Sequence, residues 1–218
     1  MFLPSDNAVI ELSYLPNVQY FSKFLLYKSV FVEQHENYLK SSYRNRCYIA
    51  GPNGQHRLSI PLKKGKNERQ KIQEVEIAFN EPWPHQHWQA IQSAYGNAPF
   101  FEFYADYFQP IYKQPPPLLF AFNQKLFNTL LKLIPVPAKI DYTDSYREDL
   151  PAGIDNWRHE ILPKKLGAEN DAFFKPHPYP QVFQEKHGFL ANLSILDLLF
   201  CTGPQTIEYL EKSIIHPK

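Results

Sequence analysis

The first 33 residues have a strand–helix–strand pattern, which constrains the fold more than any other feature of the chain. Residues 8–12 are a short apolar run that ends before Ser13, as expected for a buried strand. Apolar side chains then recur at helical spacing over residues 17–28, and residues 29–33 form a second apolar run. This order is typical of two parallel strands joined by a helical crossover. Ligands of such sheets bind beyond the carboxyl ends of the strands, here near Ser13 and Gln34.

The middle of the chain predicts a hairpin followed by helices. Residues 46–49 and 57–62 flank a Gly-Pro-Asn-Gly turn, which favours a β-hairpin. Residues 75–79 alternate between apolar and other side chains and predict a half-exposed strand. Helical spacing begins at residue 84, and a strongly apolar helix is predicted from the prolines at 115–117 to residue 133.

The pattern weakens over residues 140–180, which are rich in proline and predict an irregular segment. Whether it is an ordered lid or a loose connector stays open. Helices are predicted again over residues 192–200 and in a short element that ends near 211. The expected fold class is α/β, with a βαβ start, a mostly parallel or mixed sheet flanked by helices, and a helical second half. A single domain over residues 1–218 is expected.

Charge and cysteine content exclude several classes of protein. A net charge of +1 gives no basic field for nucleic acid. The basic run at residues 63–66 is interpreted as a solvated surface loop. Cys47 and Cys201 lie among apolar residues and predict small buried side chains in a reducing compartment. The sequence has neither a secretory signal nor about 18 consecutive apolar residues, so we expect a cytoplasmic protein without a membrane span.

The densest polar cluster follows the second predicted strand. There His35 beside Glu36 can supply a catalytic base, and Arg44 or Arg46 can hold an anionic group. The remaining substrate-binding candidates of this segment are Lys40, Tyr43 and Asn45. The alternative interpretation is a solvated loop in which Glu36 pairs with Lys40.

Two further clusters contain candidate binding residues. His85 and His87 form an H-x-H pair beside Trp88, but a helix turns its two histidines apart and no third ligand is near, so no metal site is predicted. His87 and Trp88 are instead candidates to bind substrate in a cleft. Asn192 is expected to cap the helix that follows it, and Asp197 to pair with an arginine of residues 43–46. Both are also binding candidates.

Four stretches of the sequence carry a resemblance to the WbqC-like family, which is found mostly among genes for bacterial surface polysaccharides. They are Tyr14-Leu-Pro16 with Tyr20-Phe21; Glu33-Gln-His-Glu-Asn-Tyr38 with Ser42-Tyr-Arg-Asn-Arg46; His87-Trp88 with Ala94-Tyr95 and Pro99-Phe-Phe101; and Asn192-Leu-Ser-Ile-Leu-Asp-Leu-Leu-Phe200. The proline-rich residues 140–180 stand where longer relatives have a strand–loop segment. Tyr14, in the first stretch, is a further substrate-binding candidate.

The resemblance implies an enzyme, a transferase that modifies a sugar or an activated acyl or amino donor in surface-polysaccharide assembly. Its substrate is then a small molecule such as a sugar nucleotide. The alternative is a non-catalytic binding or scaffolding protein that retains the family fold. The sequence identifies no cofactor, and it leaves open whether the chain forms a homo-oligomer.

Overall fold

A computed structural model describes residues 3–63, 70–163 and 171–216, and it begins with the predicted βαβ unit. Strand β1 (Asn7–Glu11) leads into helix α1 (Val18–Leu26), which returns to strand β2 (Ser29–Glu33). The side chain of Asn17 accepts a hydrogen bond from the backbone N–H of Tyr20 and so caps the start of α1.

The sheet of the βαβ unit has four strands, all parallel. Strands β5 (Lys139–Tyr142) and β6 (Ile154–Asn156) add to its two edges, which gives the order β5-β2-β1-β6. Alternation along the strands turns Ala8 and Val30 toward the main hydrophobic core. Val9, Glu11, Phe31 and Glu33 occupy the opposite face.

A separate two-stranded antiparallel hairpin forms, as the turn sequence predicts. It joins β3 (Arg46–Gly51) to β4 (Gly54–Ser59). The strand predicted at residues 75–79 does not form: in the described chain, Glu76 and Ile77 make only isolated bridges. The backbone N–H of Ile77 donates to the carbonyl of Pro117. Prolines at 61 and 117 lack the N–H groups that a longer ladder requires.

Helices supply the rest of the core. They are α2 (Trp83–Tyr95), α3 (Phe101–Lys113), α4 (Leu119–Leu133), α5 (Gln184–His187), α6 (Ile195–Thr202) and α7 (Thr206–Lys212). The α/β class with a helical second half is therefore confirmed. Both cysteines are buried free thiols, as predicted.

Residues 140–180 are more ordered than their composition predicts, because β5 and β6 lie partly or wholly within them. The prediction of an irregular segment holds for residues 143–153, which connect these two strands. Residues 64–66 of the basic run lie outside the described residues.

Candidate active site

Two glutamates end the central strands of the parallel sheet side by side. The parallel register pairs Glu11 of β1 with Glu33 of β2. Both side chains are buried, with relative exposures of 0% and 1%. Two carboxyl groups at the carboxyl edge of a parallel sheet lie where α/β proteins bind their ligands.

The side chain of Arg44 lies at this edge of the sheet and is fully buried. Its Nε and one terminal nitrogen donate to the two carboxylate oxygens of Glu36, both at 2.6 Å. The same terminal nitrogen donates to the carbonyl of Arg158 at 3.0 Å. From α4, Asn123 donates to the backbone carbonyl of Arg44 at 2.7 Å. The solvated-loop interpretation of this segment is wrong, because Glu36 is buried and makes a two-pronged ion pair with Arg44.

A second buried ion pair joins Glu33 to Arg158, which follows β6. A terminal nitrogen of Arg158 lies 3.1 Å from a Glu33 oxygen, and the other Glu33 oxygen accepts a hydrogen bond from the hydroxyl of Thr143. The guanidinium of Arg158 also lies over the ring of Tyr146, 4.7 Å from its centre. These contacts fasten residues 143–158 to the end of the sheet.

Glu11 is the carboxyl group of the cluster without a hydrogen-bonded cation. Neither of its carboxylate oxygens has a hydrogen-bond partner among the described residues, and the nearest cation is the remaining terminal nitrogen of Arg44, at 3.9 Å. Burial raises the pKa of Glu11 to about 8, against the opposing effect of Arg44, and the neighbouring Glu36 raises it further. Two guanidinium groups face three carboxyl groups here. One proton neutralises these five buried groups. Burial raises the pKa of Glu36 as well, but Arg44 opposes this through direct contact with Glu36 and lies farther from Glu11, so we assign the proton to Glu11.

An open pocket of about 160 Å³ lies on the same face of the sheet. Val9, Phe31 and Glu33 contribute its sheet side, and Thr143, Ser145 and Arg147 belong to the segment that faces them. The pocket thus reaches Glu33 from solvent, one strand away from Glu11.

The other candidates from this part of the sequence surround the cluster. The backbone N–H of His35 donates to a carboxylate oxygen of Glu33. His35 is half-buried and lies in the sequence between Glu33 and Glu36, the acidic partners of the two ion pairs. Asn45 donates to the carbonyl of Ile60 and so joins the cluster segment to the end of β4. Lys40 is exposed, Tyr43 is buried against Tyr48, and Arg46 is half-buried at the start of β3. Of the segment's polar side chains, the structure brings Glu36 and Arg44 into direct contact.

Tyr14 and His87 form a separate buried chain of hydrogen bonds. The hydroxyl of Tyr14 lies 2.9 Å from Nδ1 of His87 and 2.8 Å from the hydroxyl of Tyr112. Burial lowers the pKa of His87 to about 4, although a hydrogen bond with the backbone of Ser59 opposes this. His87 is therefore neutral near pH 7. Trp88 packs beside this chain, 5.8 Å from the ring of Tyr112.

Tyr14→Phe is expected to lower the free energy of unfolding by about 1–3 kcal/mol, since it leaves buried polar atoms of His87 and Tyr112 without partners. Urea unfolding followed by circular dichroism measures the change. Tyr146→Phe, at a tyrosine that is 41% exposed, is the matched control and should change stability little. Equal stability of Tyr14→Phe and the wild type would contradict this role for the Tyr14 hydroxyl.

The two candidates from the C-terminal stretch have structural partners that differ from those predicted. Asp197 accepts hydrogen bonds from Tyr179 and Gln181, both at 2.7 Å, rather than pairing with an arginine of residues 43–46. Burial raises the pKa of Asp197 to about 6, which these hydrogen bonds oppose. The predicted pairing is wrong because Tyr179 and Gln181 bind Asp197 in place of an arginine.

Asn192 does not cap the helix that follows it. Ser194 caps α6 through its side chain, whereas the amide of Asn192 exchanges two hydrogen bonds with Gln19 of α1. Asn192 has a positive φ of 55°, which turns the chain so that its side chain points back to α1.

The sequence interpretation missed Glu11, Glu33 and Arg158 as site residues. A usable signal existed for the first two. Each is an ionisable residue at the last position of a five-residue strand that is otherwise mainly apolar, and the two strands are adjacent and parallel. Arg158 follows a polar three-residue strand, and no local pattern marks it.

A sequence model described as the WbqC-like protein family matches residues 13–171, which is most of the chain. The chain belongs to the WbqC-like family. The part that matches includes Glu33, Glu36, Arg44 and Arg158, while Glu11 lies two residues before it. The WbqC-like chain is also 24% identical to a Mycobacterium tuberculosis protein named Uncharacterized protein Rv1507c, over 93% of this chain and 96% of that protein.

No solved structure matches the WbqC-like chain. Among its described residues, no helix has the length and apolar character to cross a membrane.

Proposed function

We propose that this WbqC-like protein is a transferase-type enzyme of bacterial surface-polysaccharide assembly, and that its chemistry takes place at the carboxyl edge of β1 and β2. The observation that supports an enzyme is Glu11. It combines a fully buried carboxyl group, no hydrogen-bond partner for either oxygen among the described residues, and a pKa raised to about 8. Strongly shifted pKa values cluster at functional sites.

Glu11 is suited to transfer a proton near neutral pH. A general acid or base works best when its pKa lies close to the pH at which the enzyme operates. At pH 7 Glu11 holds a proton that it can donate, and a modest change in its surroundings lets it accept one. In this proposal Glu11 takes the place of His35 and Glu36 as the main acid or base. Glu36 holds Arg44 in position, and His35 is proposed to relay the proton.

Arg44 is suited to hold an anionic oxygen of the substrate. One of its terminal nitrogens has no hydrogen-bond partner in the described protein, while the rest of the guanidinium is fixed by Glu36 and Arg158. A guanidinium held in this way binds phosphate or carboxylate oxygens well. This agrees with a sugar nucleotide or an activated acyl or amino donor as the substrate.

The proposal includes a movement of the segment that carries Thr143, Arg147 and Arg158. Glu11 and Arg44 are both fully buried, and the open pocket reaches Glu33 but not Glu11. Substrate that enters the pocket displaces Arg158 from Glu33 and so gains access to Glu11. The assignment to polysaccharide assembly rests on the family resemblance alone.

One observation favours the alternative of a non-catalytic binding protein. The side chains of the ion pairs of Arg44 with Glu36 and of Arg158 with Glu33 are at most 2% exposed, as in buried clusters whose role is to fix a fold. Under this alternative, a ligand binds in the pocket but Glu11 does no chemistry.

A thermal-shift screen of the purified chain against nucleotides, nucleotide sugars and acyl carriers tests the proposal. A ligand at 100 times its dissociation constant should stabilise the protein by about 2.7 kcal/mol. With that ligand, Glu11→Gln should keep binding and lower turnover by about 10²-fold or more. Glu102→Gln, at an exposed position of α3, is the control and should keep wild-type turnover.

Three results would count against the enzyme. They are no stabilisation by any compound, a bound ligand that is never converted, and Glu11→Gln with wild-type turnover. The second result supports the binding-protein alternative.

A further inference from the structure

A second pocket lies between the start of α2 and the end of α3, away from the charged cluster. Its volume is about 500 Å³, within the range of about 300–1,000 Å³ that is typical of small-molecule sites. Aromatic rings of Phe79, Trp88 and Tyr112 line it together with prolines. Its polar lining includes the side-chain amides of Gln92 and Gln109 and the ammonium of Lys113.

We propose that this pocket binds a neutral saccharide. The ring of Phe79 is 45% exposed and offers an apolar face to the C–H groups of a pyranose. The amides of Gln92 and Gln109 each carry both donors and an acceptor, which match hydroxyl groups that also donate and accept. The inference goes beyond the proposed function, because it holds whether or not Glu11 transfers a proton.

Trp88 forms a largely buried part of the pocket wall. Its side chain is 6% exposed, yet its indole N–H has no hydrogen-bond acceptor in the described protein. A buried donor without an acceptor is costly. The indole nitrogen is itself buried, so this donor is not open to the pocket, and Trp88 contributes its ring to the pocket wall.

The rings around this donor are held in place before any ligand arrives. The ring of Trp88 stacks on that of Phe101 on α3 with an interplanar angle of 27° and is tilted by 32° to the ring of Tyr112. The hydroxyl of Tyr112 is fixed by Tyr14, which in turn contacts His87. A site with ordered side chains pays less entropy on binding.

The charge of the lining favours a neutral ligand over a nucleotide. None of the described residues that line the pocket is acidic, and Lys113 is the one ammonium group among them. A nucleoside diphosphate carries several negative charges on its phosphates, whereas the basic side chains among the described lining residues are those of Lys113 and His85, too few to balance them. A cationic ligand would find no carboxylate there.

The test is a titration of the purified full chain with glucose, galactose, mannose, rhamnose and N-acetylglucosamine, read by saturation-transfer difference NMR. At least one of these sugars should bind the wild type. Gln92→Ala combined with Gln109→Ala should weaken that binding about tenfold or more, because hydrogen bonds to the sugar are lost. Gln89→Ala, at an exposed position on α2 that does not line the pocket, should bind like the wild type.

Glu11→Gln should also bind the sugar normally, so that failure of this inference and failure of the proposed enzyme are separate results. Circular dichroism confirms that each variant is folded. Binding of none of the five sugars overturns the proposal. So does binding that survives the double substitution, or AMP binding that the same double substitution abolishes, which would identify a nucleotide pocket.

Discussion

Glu11→Gln is expected to make the protein more stable at neutral and alkaline pH, by roughly 3 kcal/mol at pH 7. In the folded protein burial raises the pKa of Glu11 from 4.5 to about 8, so between these values the folded state holds a proton that the unfolded state has lost. Wild-type stability therefore falls as the pH rises from about 4.5 to about 8. Glutamine has no proton to lose at this position and avoids that loss.

The measurement is urea unfolding of both proteins across this pH range. The two curves of stability against pH should lie close together below pH 4.5 and separate steadily above it. The contribution from Asp197, whose pKa is also raised by burial, is common to both proteins and largely cancels in the difference. Glu102→Gln, an exposed substitution, should run parallel to the wild type at every pH. A Glu11→Gln protein that is less stable than the wild type at pH 7 would mean that Glu11 is an ionised partner of Arg44.

Arg44→Met is expected to destabilise the protein by about 3–5 kcal/mol, the usual result of removing one partner of a buried ion pair. Arg44 donates twice to Glu36 and is the nearest cation to Glu11. Its loss leaves Glu36 buried without a counter-charge. The midpoint of urea unfolding at pH 7 measures the effect.

The double variant Arg44→Met with Glu36→Gln should recover part of this loss, because it removes the charge that Arg44→Met leaves unpaired. Arg57→Met, at an exposed position on β4, is the control for the loss of one arginine and should change stability little. A loss below about 1 kcal/mol in Arg44→Met would show that water reaches the cluster and that its charges are not buried as the structure indicates.

Local pattern is sufficient to predict the centre of the fold but not its edges. The apolar runs of β1 and β2 and the turn between β3 and β4 are encoded by neighbouring residues, so sequence reasoning finds them. Strands β5 and β6 are four and three residues long and polar, as Ile154-Asp-Asn156 shows. Their strand conformation comes from pairing with β2 and β1, which no local pattern reports.

Likewise, only some of the candidate site residues can be predicted from the sequence. Glu36 and Arg44 are eight residues apart and stand out as a polar cluster after a strand, and the structure does pair them. Arg158 meets Glu33 across 125 positions, through the addition of β6 to the sheet edge. A contact that depends on the sheet order is not accessible to reasoning from one stretch of sequence. The roles of His35, Lys40 and Arg46 stay predictions.

The protonation state of Glu11 tests the account most directly, because both the proposed chemistry and the stability of the cluster depend on it. The measurement is a ¹³C NMR titration of the glutamate side-chain carboxyl carbons, with Glu11→Gln used to assign the signal. The account predicts a carboxyl signal that titrates near pH 8 in the wild type and is missing from the variant. A Glu11 signal that is already fully ionised at pH 6 would contradict it.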